Sequence, residues 1–378
     1  MNKPLIYLDY NATTPVDPDV FKAMIPYFKI HFGNPSSTHQ YGKVTKEAVD
    51  AARQQVAKLL KADASEIVFT SGGSESNNHA IIGTALANRE KGKHIVTSAV
   101  EHPSILETLS YLQKRFAFKI TYLSVNEYGI VNPLDVEKAI THETILITIM
   151  HANNEVGTIE PIKEIGKIAK ERNILFHTDA AQSSGKIPVD VDRLNVDLLT
   201  VAGHKLYAPK GIGALYIRNG TNVDKFIHGA GQEQGRRAGT ENVPYIVGLG
   251  RACGVALSNL LVFGQRVGIL RDKLFQTIVE GVGEEKVKLN GHPEKRLPNT
   301  LNISFTGKSG EKLLVQMPEI AASTGSACHS GSTNPSAVLL AMGLTREQAL
   351  GALRLSLGRW STPEEIGEAG RLIIRNAR

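Results

Sequence analysis

Cysteine is scarce in this chain, whose 378 residues include only Cys253 and Cys328. Two cysteines exclude a disulfide scaffold and are too few for a zinc site built from cysteine ligands. Long apolar runs are missing as well, since no stretch approaches the roughly 20 apolar residues of a membrane span. The first residues, MNKPLIYLDYNATT, lack the apolar core and cleavage site of a signal peptide. We therefore expect a cytoplasmic protein that binds no membrane.

A large charge imbalance is also absent. The formal net charge is +6, with 21% charged and 42% hydrophobic residues, which is typical of a soluble globular enzyme. So small a charge favours solubility over attraction to an acidic protein or tRNA. No basic run or interleaved aromatic stripe marks a nucleic-acid surface, so we expect no direct nucleic-acid binding. The length allows a large core and more than one domain.

Short apolar segments alternate with helical segments such as 45–61 and 161–171, which predicts a mostly parallel α/β sheet covered on both faces. Ligands of such sheets bind beyond the carboxyl ends of the strands. After about residue 258 the pattern changes to a helix, a short strand (300–305), a Gly/Ser-rich loop and terminal helices, which indicates a smaller second domain. The strands are predicted at 66–70, 94–98, 119–123, 145–150, 174–180, 197–202 and 213–218.

The stretch LTVAGHKLYAPKGIG (199–213) carries the pair His204-Lys205 between a strand-like run and a Gly-containing turn. An enzyme that uses pyridoxal phosphate (PLP) would keep its Schiff-base lysine in such a place. A lysine amine is protonated and inert in water, so it needs an unusual site to condense with an aldehyde. Most lysines are solvated surface charges, so this interpretation depends on finding the rest of a PLP site.

A phosphate site is suggested by FTSGGSESNN (69–78), in which a strand runs into a Gly-rich turn and a helix that begins near Ser74. Backbone N–H groups at a helix N-terminus, together with the Ser74 hydroxyl, form an anion site. Taken alone, a plain strand-to-helix turn is the better interpretation. The motif gains weight only from what lies at the other strand ends.

Polar residues follow three further predicted strands. Asp179 ends one strand, where a carboxylate facing a pyridine nitrogen would keep that nitrogen protonated, and Gln182 follows as a donor to the phenolic oxygen of the ring. His102 can stack on the ring and move protons near neutral pH. Asn153 is a candidate donor to substrate or cofactor. The alternatives are a helix cap for Asp179 and a structural role for His102.

Cys328 lies in STGSACHSGSTNPSAVLLAMG (323–343), a run of small polar residues that predicts an exposed loop. A thiol on such a loop is available for reaction, which suggests group transfer. Cys253 lies in the apolar GLGRACGVAL and has the setting of a structural cysteine. Asn334 and Pro335 predict the start of the helix after the loop.

These residues resemble the cysteine desulfurases of the NifS/IscS type, which are class V aminotransferase relatives of PLP fold type I. Single motifs of this kind are weak, but their agreement in order over nearly the whole chain leaves chance negligible. The resemblance rests on YLDYNATTP (7–15), FGNPSSTH (32–39), SGGSES (71–76), EHP (101–103), ANNEVGT (152–158), HTDAAQ (177–182), GHKLYAPKG (203–211), GRRAGTEN (235–242), RLPNT (296–300), GSACHSG (325–331) and RLSLGR (354–359).

The resemblance implies a large domain (14–258) with a mostly parallel seven-stranded sheet and a smaller α+β domain (1–13 and 259–378) carrying the cysteine loop (323–336). It implies a homodimer that uses PLP to convert L-cysteine to L-alanine, with Cys328 receiving the sulfur as a persulfide. The sulfur would pass to an acceptor such as an iron–sulfur scaffold protein. No resident metal is expected, although Cys328 would transiently contact an iron–sulfur cluster.

The resemblance also implies a role for each site residue. Lys205, His102 and Cys328 are the implied catalytic residues, and Arg354 would grip the substrate carboxylate with two hydrogen bonds. Asn153 would contact substrate and cofactor. Thr240 would reach the phosphate from the other subunit. The implied cofactor-binding residues are Gly73, Ser74, His102, Asn153, Asp179, Gln182, His204, Lys205 and Thr240.

Three positions depart from the family pattern. Ala202 stands where a serine is usual and Ser74 where a threonine is frequent, so one phosphate hydroxyl is lost, and His329 follows the cysteine where small residues are usual. A selenocysteine lyase is the nearest alternative. An aminotransferase or kynureninase-like lyase needs no cysteine loop, and a non-enzymatic sulfur-handling subunit needs no PLP residues. The acceptor stays open among an iron–sulfur scaffold, a tRNA or DNA thiolation enzyme and another sulfur carrier.

Overall fold

The computed structural model describes residues 5–324 and 334–378. Its twelve strands form sheets of seven, three and two strands within these residues. The strands are β1 (Ile6–Tyr7), β2 (Ile67–Thr70), β3 (His94–Ser98), β4 (Lys119–Leu123), β5 (Thr144–Thr148), β6 (Leu175–Asp179), β7 (Leu198–Ala202), β8 (Gly213–Ile217), β9 (Val287–Asn290), β10 (Thr300–Phe305), β11 (Ile320–Ala321) and β12 (Ala352–Ser356).

Helices surround these sheets, and short 3₁₀ turns at Ala64–Glu66, Gly203–Lys205, Glu233–Gly235 and Glu284–Lys286 lie between elements. A π-helical segment (His79–Gly83) joins α3 to α4 without a break. The helices are α1 (Pro18–Lys29), α2 (Gln40–Leu60), α3 (Gly73–Asn78), α4 (Thr84–Asn88), α5 (Pro103–Phe116), α6 (Pro133–Ala139), α7 (Ile162–Glu171), α8 (Val191–Leu194), α9 (Val243–Val282), α10 (Gly310–Gln316), α11 (Ala337–Ala341), α12 (Arg346–Leu350) and α13 (Pro363–Ala377).

The central sheet confirms the predicted mostly parallel arrangement. Its seven strands have the order β2-β8-β7-β6-β5-β3-β4. Only β8 in this sheet is antiparallel to its neighbours, so the other six strands point the same way. Every residue of β3, β5, β7 and β8 is buried. Strands covered on both faces are continuously apolar rather than alternating, which is why the sequence revealed them as short apolar runs.

Two helix starts differ from the sequence-based expectation because side chains cap the backbone. The helix predicted from residue 45 begins at Gln40, since the His39 ring Nδ1 accepts a hydrogen bond from the Gly42 N–H at 3.3 Å. The helix after the cysteine loop begins at Ala337. Its N-cap is Ser336, whose hydroxyl accepts from the Leu339 N–H at 3.1 Å, so the expectation that Asn334 and Pro335 start it was wrong.

The core has two main parts. The larger one joins the central sheet to α1, α2, α7 and the first half of α9. The second part packs Ile6 and Leu8 against the three-stranded sheet β12-β10-β9, the second half of α9 and α13. Helix α9 runs without interruption through the expected domain boundary at residue 258, so the division into domains stays a prediction.

Helix α9 is, within the ranges that the structure describes, the one helix long and apolar enough to cross a membrane by length and composition. The expectation that no such stretch exists was therefore wrong. The helix packs against α1, α2 and α13. Residues in both of its halves, such as Leu249, Cys253, Leu274 and Ile278, are fully buried within the protein. This packing is that of a core helix.

A buried ion pair connects α2 to the segment that precedes α9. The Arg53 guanidinium donates to both carboxylate oxygens of Glu233 at 2.7 and 2.9 Å, and to the Ile67 carbonyl at 2.7 Å. Glu233 also accepts from the Phe69 N–H at 2.9 Å. Removing one partner of such a pair leaves the other charge buried without compensation.

We predict that Glu233→Ala lowers the free energy of unfolding by about 3–5 kcal/mol, because Arg53 loses its partner. Asp50→Ala is the matched control, because it breaks the solvent-exposed Lys46–Asp50 pair and should cost no more than about 1 kcal/mol. Urea unfolding followed by circular dichroism measures both. Equal losses in the two variants would contradict the assignment of Arg53–Glu233 as a structural pair.

Candidate active site

The predicted functional residues meet at one edge of the central sheet. Strands β2, β3, β5, β6 and β7 all point toward this edge, so the loops that follow them converge there. Their side chains are close enough to interact electrostatically. The charges of Arg354 and Asp179 shift the pKa of Lys205, and those of Asp179 and Lys205 shift the pKa of His102. The residues on these loops are Gly73, Ser74, His102, Asn153, Asp179, Gln182, His204 and Lys205.

Lys205 occupies the 3₁₀ turn after β7, and its amine faces the N-terminal segment. Nζ donates to the backbone carbonyl of Ala12 at 2.7 Å and to that of Asn11. Burial, followed by the positive charge of Arg354, lowers the pKa of Lys205 to about 8, although Asp9 and Asp179 act in the opposite direction. At pH 7 about a tenth of the amine is then neutral and nucleophilic, far more than for a solvated lysine.

The N-terminal segment also holds His204. The imidazole Nδ1 lies 3.2 Å from the Thr13 hydroxyl, and the His204 carbonyl accepts from the Thr14 N–H at 3.0 Å. Burial is the main cause that lowers the pKa of His204 to about 4, and the charge of Lys205 adds to it. The ring is therefore neutral at pH 7, and it would contact an anion as a hydrogen-bond donor rather than as a cation.

A chain of hydrogen bonds runs from Asp179 to His102. Asn77 on α3 donates through Nδ2 to the Asp179 carboxylate and to the Ser104 hydroxyl, both at 2.8 Å. The Ser104 hydroxyl in turn lies 2.8 Å from Nδ1 of His102. The second Asp179 oxygen accepts from the Ala181 N–H at 2.9 Å. These contacts fix the buried carboxylate and the imidazole relative to each other.

The position of the proton on His102 follows from its role as the N-cap of α5. The Ser104 N–H donates to Nδ1 at 3.1 Å, so Nδ1 is an acceptor and the neutral ring carries its proton on Nε2. Desolvation in the cleft and the charge of Lys205 lower the pKa of His102, against the effect of Asp179. Its neighbour Glu101 is fully buried and accepts from the Met150 N–H at 3.0 Å, which anchors the loop.

The Gly-rich turn before α3 is tightly packed from behind. Gly72 has φ +151°, a conformation that side chains rarely adopt. A Cβ on Gly73 would lie 3.2 Å from the Ala202 methyl, and one on Gly213 would approach the Gly72 backbone to 2.8 Å. Ser74 is exposed at the start of the helix. The turn thus packs against Ala202 and leads directly into the first turn of α3, whose backbone N–H groups would suit an anion.

Arg354 on β12 is buried and only partly paired. One terminal nitrogen donates to Asp9 at 2.8 Å and the other to the Asn154 carbonyl at 3.2 Å. Its Nε–H is buried without a partner among the described residues. A buried donor without an acceptor is costly, so the guanidinium is suited to an incoming carboxylate.

Asn153, by contrast, is occupied by its own loop. Its Oδ1 accepts from the N–H groups of Glu155 at 2.8 Å and Val156 at 3.0 Å, and its Nδ2 donates to the Val100 carbonyl at 3.1 Å. The side chain is buried. In this structure Asn153 shapes the loop after β5, and its expected contact with substrate or cofactor stays a prediction.

Of the remaining predicted residues, Gln182 and Thr240 lie within the described ranges and Cys328 does not. Gln182 is buried, and its Nε2 donates to the Asn11 carbonyl at 2.9 Å. Thr240 is exposed on the segment before α9. Cys328 and His329 fall between residues 324 and 334 and lie outside the described residues. Among the residues that are described, no group of three or more His, Cys, Asp or Glu side chains could hold a metal ion.

Sequence reasoning missed several residues of the site: Asp9, Asn11, Asn77, Ser104 and Lys186. A signal existed for Asn77 and Ser104, since each follows a recognised motif on the first turns of a helix. Asp9 and Asn11 lie in YLDYNATTP, which supported the resemblance but received no role. No local pattern marks Lys186, because one of its two partners, Asn11, lies 175 residues away in the sequence.

We predict that acetylation of Lys205 by a neutral-amine reagent follows a midpoint near pH 8. The neutral amine is the reactive form, so a lowered pKa shifts the onset of labelling toward neutral pH. Arg354→Met should raise this midpoint, since it removes a neighbouring cation, and Asp9→Asn should lower it. Peptide mass spectrometry after short exposures measures the labelling. A wild-type midpoint near the ordinary lysine value of 10.5 would refute the assigned environment.

Comparison with known proteins agrees with this architecture. The family model for class-V aminotransferases matches residues 6–368. A cysteine desulfurase IscS of Clostridium botulinum is 52% identical over 370 residues, covering 97% of this chain and 92% of that protein. One of Methanosarcina thermophila is 51% identical over 363 residues, covering 96% and 89%.

Solved structures give the same result. A NifS-like protein superposes with a TM-score of 0.91 at 37% identity, covering 98% of both chains. A structure described as SspA in complex with cysteine has a TM-score of 0.81 at 40% identity, covering 94% of this chain and 99% of the other. The predicted fold type is thereby confirmed. The chain belongs to the class-V aminotransferase family and, within it, to the cysteine desulfurases of the NifS/IscS type.

Proposed function

We propose that this protein is a PLP-dependent cysteine desulfurase, which converts L-cysteine to L-alanine and transfers the sulfur to Cys328. The observation that carries the proposal is the convergence of the Lys205 amine, with its pKa near 8, and the buried Asp179 carboxylate at one edge of the sheet. Relatives at about half identity bear the name cysteine desulfurase, and one solved relative is described as bound to cysteine.

The residues of the site have the chemical groups that would bind PLP. The Gly-rich turn offers backbone donors for a phosphate, with Ser74 and the neutral His204 beside it. Asp179 supplies a carboxylate for a pyridine nitrogen, and Gln182 an amide donor for the phenolic oxygen. Asn77 retains a buried Oδ1 without a partner among the described side chains. When bound, PLP would act as an electron sink for the substrate.

The protein groups would then bind substrate and move protons. Lys205 Nζ, partly neutral near pH 7, would hold the cofactor and take the proton from the substrate Cα. His102 carries a proton on Nε2 and exchanges it at the substrate side chain. Arg354 holds the substrate carboxylate through its unpaired Nε–H and a terminal N–H, while Asp9 keeps the guanidinium in place.

Cys328 is the proposed sulfur acceptor because the other cysteine is unsuitable. Cys253 is fully buried in α9, and burial raises the pKa of its thiol to about 12. A thiolate is the nucleophile in sulfur transfer, so Cys253 is inert near neutral pH. In the proposed step the Cys328 thiolate attacks the sulfur of the substrate and forms an S–S bond. The C–S bond breaks at the same time, and its electron pair stays with the substrate Cβ, which takes a proton on the way to alanine.

The proposed fate of the sulfur rests on the resemblance. We propose that the persulfide supplies a protein acceptor such as an iron–sulfur scaffold, and that Cys328 contacts a cluster only in passing. A cytoplasmic location stays a prediction, as does the expectation that the protein binds neither a membrane nor nucleic acid. We also propose that Ala202, which lacks a hydroxyl, affects the affinity for PLP, and that His329 affects the reactivity of the Cys328 thiol.

A homodimer is also proposed, and an exposed apolar surface supports it. Phe28 and Phe32 are 57% and 72% exposed, on and just after α1. Phe28 contacts Tyr245 near the start of α9, with ring centroids 6.3 Å apart. Thr240 is exposed a few residues before Tyr245, so a partner that covered this surface would lie next to Thr240. Such a contact would let Thr240 complete the phosphate site of the other subunit.

We predict that the protein sediments as a dimer and that Phe32→Glu produces a monomer with weaker PLP binding. Burying a charge in an apolar interface is costly, whereas the substitution is harmless to a monomer in which this side chain is exposed. Val315→Glu is the control, because Val315 is 78% exposed on α10, and the variant should stay dimeric. A wild-type monomer with full activity would rule out a shared site.

The Cys328→Ala variant tests the proposed function directly. It should bind PLP and cysteine normally, yet release alanine more slowly by on the order of 10³-fold, as for loss of an essential nucleophile. Mass spectrometry of cysteine-treated wild type should find one added sulfur on the peptide carrying Cys328. Lys205→Ala should lose both the visible absorption band and turnover, whereas Cys253→Ala should retain both, provided that it folds.

Other functions would give different results. An aminotransferase or a kynureninase-like lyase would keep its activity in Cys328→Ala, because its chemistry does not involve that thiol. A selenocysteine lyase would strongly prefer selenocysteine and tolerate the substitution, since selenium leaves more readily than sulfur. Cysteine desulfuration at the wild-type rate in Cys328→Ala would refute the proposal.

A further inference from the structure

Lys186 is a buried lysine next to the site to which the proposed reaction gives no task. It lies in the turn that follows β6, shortly after Asp179 and Gln182, and only 6% of its surface is exposed. Among residues 5–324 and 334–378, no carboxylate forms an ion pair with it. Burial, together with the charges of Lys205 and Arg354, lowers its pKa far below the ordinary value. Lysine is rarely buried without a partner, so its position calls for an explanation.

Both hydrogen-bond partners of Lys186 are side-chain amides of the site. Nζ donates to Oε1 of Gln182 at 2.8 Å and to Oδ1 of Asn11 at 3.2 Å. The same Asn11 accepts through its backbone carbonyl from Gln182 Nε2 at 2.9 Å and from Lys205 Nζ. Lys186 therefore binds the side chains of Gln182 and Asn11, and the backbone carbonyl of Asn11 connects them to Lys205.

These contacts fix the direction of the Gln182 amide. An amide has an acceptor end and a donor end, and either can face a site after rotation about the last bond. The Asn11 carbonyl can only accept, so Gln182 Nε2 faces it, and the Gln182 oxygen faces Lys186 Nζ, which donates to it at 2.8 Å. The Nε2 end is thereby directed to the opposite side. One of its two hydrogens binds the Asn11 carbonyl, which leaves the second for another acceptor.

Asn11 is held just as firmly. Its Oδ1 accepts from Asn299 at 2.9 Å in addition to Lys186, and its Nδ2 donates to the Thr300 hydroxyl at 2.8 Å. The network thus links the N-terminal segment to the turn after β6 and to β10. Loss of the Lys186 donor would leave the buried Gln182 oxygen unsatisfied, and the bond to the Asn11 carbonyl would then orient the amide without help from Lys186.

We propose that Lys186 is a positioning residue of the cofactor site, which holds the Gln182 amide so that its N–H, and not its C=O, is offered to the phenolic oxygen of PLP. The inference rests on the proposed function. Lys186 itself need not touch the cofactor or the substrate. Its effect is transmitted through Gln182, and this makes the role separable from a general structural one.

The test uses the visible absorption band of the purified holoenzyme, titrated with pH. A donor to the phenolic oxygen favours the deprotonated chromophore, so its loss should raise the midpoint of the titration. For Lys186→Met we expect a rise of about one pH unit, which corresponds to the loss of one hydrogen bond, and weaker PLP binding. Gln182→Ala should give the same rise, and adding Lys186→Met to it should cause no further change.

Lys163→Met is the matched control, because Lys163 is an exposed lysine on α7 and its replacement should leave the midpoint unchanged. Should Lys186→Met fail to fold, Lys186→Gln provides the second test. It retains an N–H donor and should keep the midpoint nearer to that of wild type than Gln182→Ala does. An unchanged midpoint in Lys186→Met would overturn the inference. So would a Lys186→Met shift that is equally large in the wild-type protein and in the Gln182→Ala variant. Wild-type protein without any visible band would instead refute the proposed function.

Discussion

The burial of positive charge at one edge of the sheet is the constraint on which the site depends. Lys205, Lys186 and Arg354 are all largely removed from water there. The charge of Arg354 lowers the pKa of Lys205, and the charges of Lys205 and Arg354 both lower the pKa of Lys186. Two carboxylates, Asp9 and Asp179, oppose this charge at Lys205. The result is a lysine amine that is partly neutral at pH 7 and a cleft that favours anions. A phosphate and a substrate carboxylate are the ligands that such a cleft would bind best.

The N-terminal segment supplies what the sheet edge lacks. The carbonyls of Asn11 and Ala12 accept from Lys205, and Thr13 and Thr14 hold His204. Asp9 pairs with Arg354. Carbonyl oxygens stabilise buried N–H donors without adding a full negative charge, so they hold the lysine while leaving its pKa low. One short stretch of chain thereby positions the nucleophilic amine and the cation that would bind substrate.

Much of this arrangement could be predicted from local sequence. Buried parallel strands are short apolar runs, and the residues after them must meet at one edge, which is why His102, Asp179 and Lys205 were found. Asn11 and Lys186 could not be found in this way, because the contacts of Asn11 with Gln182, Lys186 and Lys205 span 171 to 194 residues and depend on tertiary packing. For Asn153 the contact with substrate or cofactor stays a prediction. Its place at a strand end suggested a ligand contact, but its side chain serves its own loop.

Two networks of neutral side chains orient the titratable groups of the site. Asn77 and Ser104 connect Asp179 to His102 on one side, and Asn11 and Gln182 connect Lys186 to Lys205 on the other. Amides and hydroxyls suit this task because they carry direction without net charge. A charged residue in their place would shift the pKa of Lys205 and with it the neutral fraction of the amine. The cleft thus fixes the geometry of its charged groups with neutral ones.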